Sequence, residues 1–147
     1  MAGADDQTLL KAAGDGDLAA VEAALAKGAD INARGEYGDS ALNITAQRGH
    51  KELVQRLLDL GANVGNVGGA DLTPLMNAAF AGNVAIVNML LAKGAKVTDD
   101  LLMSFQMKVN ILEENAEAGM VLPEAAKAWR QFLEFLVAQR DKQDGAR

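Results

Sequence analysis

Few residues in this chain could do chemistry, and their spacing limits what that chemistry could be. Asp15 and Asp17 alternate with glycine in the stretch GDGD at 14–17, a pattern that could begin a calcium loop, cradle a phosphate or simply turn the chain. A calcium loop must continue its oxygen ligands at alternate positions, whereas Leu18, Ala19, Ala20 and Val21 follow here. A phosphate would be repelled by both carboxylates. His50 is the only histidine, and Ser40 and Ser104 are the only serines. Nucleophilic catalysis needs a hydroxyl beside an activating base; these serines lie on separate elements, Ser40 as the N-cap of a helix. The pairs Asp99-Asp100 and Glu113-Glu114 are adjacent in sequence, so on helices their side chains diverge. The first pair suits a helix N-terminus and the second a solvated face. Asn43-Ile44-Thr45 spells a glycosylation acceptor, but in a helical setting. The absence of cysteine removes disulfides, thiolate catalysis and thiolate zinc sites. No catalytic residue, cofactor-binding residue or metal ligand is therefore expected, and the chain reads as a protein without enzymatic activity.

Composition narrows the partners. A net charge of -6 and a pI near 4.7 oppose binding to nucleic acid or to an anionic membrane, which require clustered Lys and Arg. No apolar stretch approaches the 18 or so residues of a membrane span, and the N-terminal segment lacks the basic-then-apolar pattern of a secretory signal. A cytoplasmic protein is expected. Half of the residues are apolar but only 4% are aromatic, so the apolar content is Ala, Leu, Val and Met, which favour helix. A chain of 147 residues is long enough for one domain with a core of its own.

The elements that position these residues emerge when the chain is compared with itself. LLKAAGDGDLAAVEAALAKGADI from Leu9, LNITAQRGHKELVQRLLDLGANV from Leu42 and LMNAAFAGNVAIVNMLLAKGAKV from Leu75 align without a gap at a spacing of 33 residues. Seven columns are identical in all three copies: Leu9/Leu42/Leu75, Ala13/Ala46/Ala79, Gly16/Gly49/Gly82, Val21/Val54/Val87, Leu25/Leu58/Leu91, Gly28/Gly61/Gly94 and Ala29/Ala62/Ala95. The apolar spacing Leu53, Val54, Leu57, Leu58, repeated in the other copies, is the stripe of an amphipathic helix that the following Gly ends. Thr73-Pro74 starts a shorter helix before it, with Thr as N-cap and Pro at the first position. NARGEYGDS and GNVGGADLT, between the copies, read as hairpin-like tips too short for another helix. Each unit is thus helix, turn, helix, and stacking the units buries stripes that none could bury alone.

These residues resemble the ankyrin repeat, whose period is 33. Thr73-Pro74-Leu75-Met76, Gly82-Asn83, Ile86-Val87, Leu90-Leu91 and Gly94-Ala95 carry the likeness in the third copy; Gly49-His50 and Gly61-Ala62-Asn63 carry it in the second, and Gly28-Ala29-Asp30-Ile31-Asn32 in the first. The family's signature histidine is replaced by Leu10, Asn43 and Met76, of which Asn43 is the one polar substitute. The resemblance implies an all-α fold, an ankyrin-repeat solenoid with repeats at about 4–34, 35–67 and 68–98. It also implies non-catalytic binding of a protein partner through the tips and the exposed side of each first helix. Carried over column by column, that surface is Asp15 in the first copy; Glu36, Tyr37, Asp39, Gln47 and Arg48 in the second; and Leu72 and Phe80 in the third. Tyr37, the only tyrosine, sits on a tip where no core is within reach and reads as an anchor. Phe80 reads either as an anchor or as packing against its own tip. The acidic positions of the first copy would favour a basic patch on the partner.

After Val97 the register fails. Helices are expected over about 99–117 and 123–140, with faces Leu101, Phe105, Val109, Leu112, Ala116 and Ala125, Trp129, Phe132, Leu133, Leu136, Val137, closing the open end of the stack; a frayed tail would occupy 141–147. The stripe Met103, Met107, Ile111 lies opposite the first of these faces. It reads as a second buried face of a sandwiched helix, or else as a contact for a partner or for a second copy. Self-association through this pair of helices is the alternative function, and a monomer is favoured over a homodimer.

Overall fold

A computed structural model of the chain describes residues 3–145. The described residues form α1 (Ala4–Asp15), α2 (Leu18–Ala26), α3 (Ala41–Arg48), α4 (Lys51–Asp59), α5 (Pro74–Phe80), α6 (Val84–Ala92), α7 (Asp99–Glu117) and α8 (Pro123–Gly145), with a one-turn 3-10 segment at Gly69–Asp71. An isolated antiparallel bridge between Arg34 and Ser40 closes the tip that precedes α3. The protein is all-α and divides into two compact units, one ending at Ala95 and one beginning at Lys96.

In the first unit the identical columns each have one structural cause. Leu9, Leu42 and Leu75 are buried, and Ala13, Ala46 and Ala79 are buried completely, where the first helices pack side by side, α1 on α3 and α3 on α5. Only a small side chain suits such close helix approach at interior packing density. Val21, Val54 and Val87 fill the space between the paired helices. Gly16, Gly49 and Gly82 sit at φ of 72°, 77° and 74°, a left-handed conformation that costs other residues energy. The N–H groups of Asp17, His50 and Asn83, one residue further, donate to Ala12, Thr45 and Ala78 carbonyls, the backbone closure expected at such helix ends. The second helices start on caps. Asp17 accepts from the Ala20 N–H and Asn83 from the Ile86 N–H. His50, in the same column, makes no cap bond; its ring turns to the preceding repeat instead. Ser40 and Thr73 cap α3 and α5, and Pro74 opens α5.

The second unit is a helical hairpin. Thr98 caps α7, and Gly119, at φ 75°, ends the turn after it. Phe105, completely buried, packs on Trp129 (ring centroids 5.2 Å) and meets Phe132 edge-on (5.1 Å), while the Lys108 ammonium lies 3.8 Å from the centre of the Trp129 ring. Glu113 and Arg130 form a two-bond ion pair across the hairpin. The Arg130 hydrogen bonds, together with its charge, hold the Glu113 carboxyl below its ordinary range against the opposing effect of desolvation.

Three expectations for this region are corrected. The last helix does not fray after Arg140 but continues to Gly145, because its end is tied down. Arg140 donates to the Val97 carbonyl (2.7 Å) and pairs with Asp99 and Asp144, and Gln143 accepts from the Val97 N–H. Residues 146 and 147 of the expected tail lie outside the described residues. On α8 it is Ala126 that is buried, and Ala125 and Val137 are exposed. The stripe on α7 is not a second buried face: Met103, Met107 and Ile111 are 70%, 66% and 50% exposed. Only the face carrying Leu101, Phe105 and Val109 is buried.

Candidate functional site

The first unit carries two shallow concavities that share one side chain, Leu10. One, of about 360 Å³, is lined by Leu10, Lys11, Gly14, Asp15, Asp39, Ile44, Gln47 and Arg48. The other, of about 820 Å³, is lined by Gln7, Leu10, Arg34, Gly35, Glu36, Tyr37 and Gly38. Six of the residues singled out from the sequence, Asp15, Glu36, Tyr37, Asp39, Gln47 and Arg48, thus line this pair of depressions. Leu72 and Phe80, both half-buried, line neither.

The polar members differ in how far they are already engaged. Asp15 pairs with Lys11 one helical turn back, at 3.0 Å on an exposed face. Arg48 reaches from α3 to the end of α1, donating from Nη1 to the Gly14 carbonyl at 3.0 Å, and the His50 Nε2 lies 3.2 Å from the same oxygen. Carbonyls of a last helical turn lack intrahelical donors and carry the negative end of the helix dipole, so a guanidinium there is well placed. Asp39 accepts from the Gly69 N–H at 2.9 Å. Gly69 and its neighbour Gly68 allow that approach, since a Cβ on Gly68 would fall 2.1 Å from an Asp39 oxygen. Gln47 and Glu36 are exposed, and Tyr37 is 78% exposed.

Beneath the tips lies a buried polar network that the sequence indicated only through Asn43. Its Nδ2 donates to the Asn77 Oδ1 (2.9 Å) and to the Leu72 and Asn66 carbonyls (3.2 and 3.3 Å). Its Oδ1 accepts from the Ser40 hydroxyl, the Ser40 N–H and the Asn66 Nδ2. Asn66 also donates to the Gly38 carbonyl, and Arg34 ties the same tip to the next by donating to Gly38 and Val67 carbonyls. The sequence offered no sign of Asn66, Asn77 or Arg34, because each occurs in one copy only; a polar residue at an otherwise apolar column was the sole signal. In the folded protein the Asn43 amide is buried and engaged in these bonds. Ser40 and His50 are likewise committed to backbone and amide partners. Among the described residues no three His, Cys, Asp or Glu side chains gather as a metal site would need, and no helix is long and apolar enough to cross a membrane.

Three stacked helical hairpins with projecting tips define the first unit as a repeat module. The chain belongs to the ankyrin repeat family: residues 9–100 match the family described as Ankyrin repeats (3 copies), a family of protein–protein interaction modules. It is similar to the Ankyrin repeat and KH domain-containing protein mask of Drosophila melanogaster, with 38% identity over 96 residues covering 62% of this chain and 2% of that protein. It is similar also to the E3 ubiquitin-protein ligase KEG of Arabidopsis thaliana, 39% over 128 residues covering 86% of this chain and 7% of that one. A putative ankyrin repeat protein of Rickettsia felis is 39% identical over 49 residues, 33% of this chain and 78% of its own length. The chain spans less than a tenth of the first two relatives, so the activities in their names belong to those proteins.

Proposed function

We propose that this protein is a non-catalytic adaptor that holds one protein partner in the paired depressions of its first unit, with Tyr37 as the anchor. The observation that carries the reading is the setting of Tyr37. A phenol ring 78% exposed on a tip contributes little to folding, yet it stands at the rim of a depression whose floor includes Leu10. An amphipathic ring beside an apolar floor is the arrangement from which interface anchors draw their energy. Gln47 and Arg48 supply hydrogen-bond donors on the adjoining slope, and Leu72 and Phe80 extend the apolar surface along the stack. Because Asp15 and Asp39 already have partners, attraction toward a basic patch rests mainly on Glu36. A monomer acting in the cytoplasm completes the reading.

The experiment is capture of the partner on immobilised protein from the cells of origin, followed by titration against the purified partner. Tyr37→Ala should weaken binding by about 2 kcal/mol, some thirtyfold, with unfolding unchanged. A stoichiometric partner indifferent to Tyr37→Ala, Gln47→Ala and Phe80→Ala would show that this surface has been placed wrongly.

A further inference from the structure

The exposed stripe on α7 has a charge pattern that selects its occupant. Met103, Met107 and Ile111 project from one row, and a groove of about 290 Å³ lined by Met107, Ile111, Leu112, Ser104 and Lys108 runs beside them. Exposed apolar patches of a few hundred Å² on a monomer commonly mark interaction sites, and methionine, unbranched and polarizable, adapts to varied partners. At 3.6 residues per turn Asp100 and Glu114 fall on the same row, seven residues before and seven after Met107, about 21 Å apart at 1.5 Å per residue. The other two carboxylates nearby are used within the hairpin, Asp99 by Arg140 and Glu113 by Arg130. Among the described residues Asp100, Glu114 and Glu117 have no basic partner. The single cation of α7, Lys108, has its ammonium over the Trp129 ring.

We infer that this face of α7 docks an amphipathic helix of a partner protein that carries apolar residues four apart and a Lys or Arg about seven residues to either side of the central one. The symmetry of the acids about Met107 argues against a second copy of the chain. Paired antiparallel about Met107, Asp100 of one copy would face Glu114 of the other; paired parallel in register, each acid would face itself. Like charges so placed oppose association. An anionic lipid surface would be repelled by the same acids.

Two stapled helical peptides test this against the full chain by fluorescence anisotropy. Both carry leucine at three positions four apart; one has lysine, the other glutamate, seven residues either side of the central leucine. The lysine peptide should bind and shift the methyl NMR signals of Met103 and Met107, and the glutamate peptide should bind about tenfold more weakly, the effect of two surface charge pairs. Asp100→Asn with Glu114→Gln should erase that preference. Met103→Gln with Met107→Gln should end binding with helix content unchanged, since both side chains are exposed, and Tyr37→Ala should leave it intact. Binding that survives the methionine double substitution would be bulk attraction to an acidic protein and would overturn the proposal. So would equal affinity for the two peptides, or a homodimer in light scattering that Met107→Gln dissociates.

Discussion

Replacing Asn43 by alanine should destabilise the repeat unit by about 3 kcal/mol, because buried groups lose hydrogen-bond partners at roughly 1–3 kcal/mol each. The structure shows which groups those are. The Leu72 carbonyl keeps the Gly68 N–H at 2.9 Å, and the Asn66 Nδ2 keeps the Gly38 carbonyl at 3.1 Å. The Asn77 Oδ1, the Ser40 N–H and the Ser40 hydroxyl proton lose the bonds they make with the Asn43 side chain, while the Ser40 Oγ still accepts from the backbone N–H at position 43; Ser40 and Asn77 are both buried. With a urea dependence near 1–3 kcal/mol/M, the midpoint should fall by about 1–3 M, read by far-UV circular dichroism because Trp129 reports only the second unit. Asn43→Asp keeps the shape but turns the two Nδ2 donors into an acceptor facing the Asn66, Leu72 and Asn77 oxygens. It should cost more than alanine at neutral pH and recover as the pH falls, since burial among acceptors raises the carboxyl pKa and the protonated form is the one that fits. A midpoint shift below about 0.3 M at constant slope for Asn43→Ala would refute the claim that this network couples the tips.

Gly16→Ala should cost about 1–2 kcal/mol from its left-handed backbone alone, and more because the added Cβ would fall 2.8 Å from the His50 ring; denaturation should show the excess, and only the excess, disappearing in a His50→Ala background. Ala70 has φ 56° and ψ 25° without being glycine, so Ala70→Gly should stabilise by about 1 kcal/mol, the relief of strain exceeding the added unfolded-state entropy; a loss of stability in urea would show that the turn is held by something other than backbone preference. For Glu113 the folded-state carboxyl lies below its unfolded value, first through the Arg130 hydrogen bonds. Its contribution is therefore complete above the ordinary glutamate range and lost as the pH falls through the depressed value. Acid titration followed by Trp129 fluorescence should show that loss, and Glu113→Gln should flatten it; an unchanged profile would assign the acid sensitivity elsewhere.

How much of this was legible in the sequence depends on whether a residue's role is repeated. Leu42, Ala46 and Gly49 do the same work as their counterparts 33 residues away, so burial and left-handed backbone appear as identical columns. Asp17 and Asn83, in one column, likewise share a cap role. His50 broke the pattern because its ring finds a carbonyl in the neighbouring repeat, a contact that no spacing within one copy encodes. The tips belong to this second kind. Arg34, Asn66 and Asn77 act once each, across 23 to 34 residues of sequence, and their roles follow only from tertiary placement.

The second unit shows the limit of periodicity from the other direction. The 3.6-residue period places Met103, Met107 and Ile111 on one face of α7 with certainty, but it says nothing about what covers that face; a buried stripe and a docking stripe have the same spacing. Hydrophobicity does not separate them, and neither does the helix hairpin itself, whose aromatic core of Phe105, Trp129 and Phe132 is complete without them. What does separate them is charge at the ends of the row. A face buried in its own fold gains nothing from carboxylates at each end and is destabilised if they are desolvated, whereas a face kept for a charged partner gains both encounter rate and selectivity from them. Asp100 and Glu114, unpaired among the described residues while Asp99 and Glu113 beside them are paired, are therefore the signal that distinguishes the two readings, provided charge is read along the same helical row as hydrophobicity.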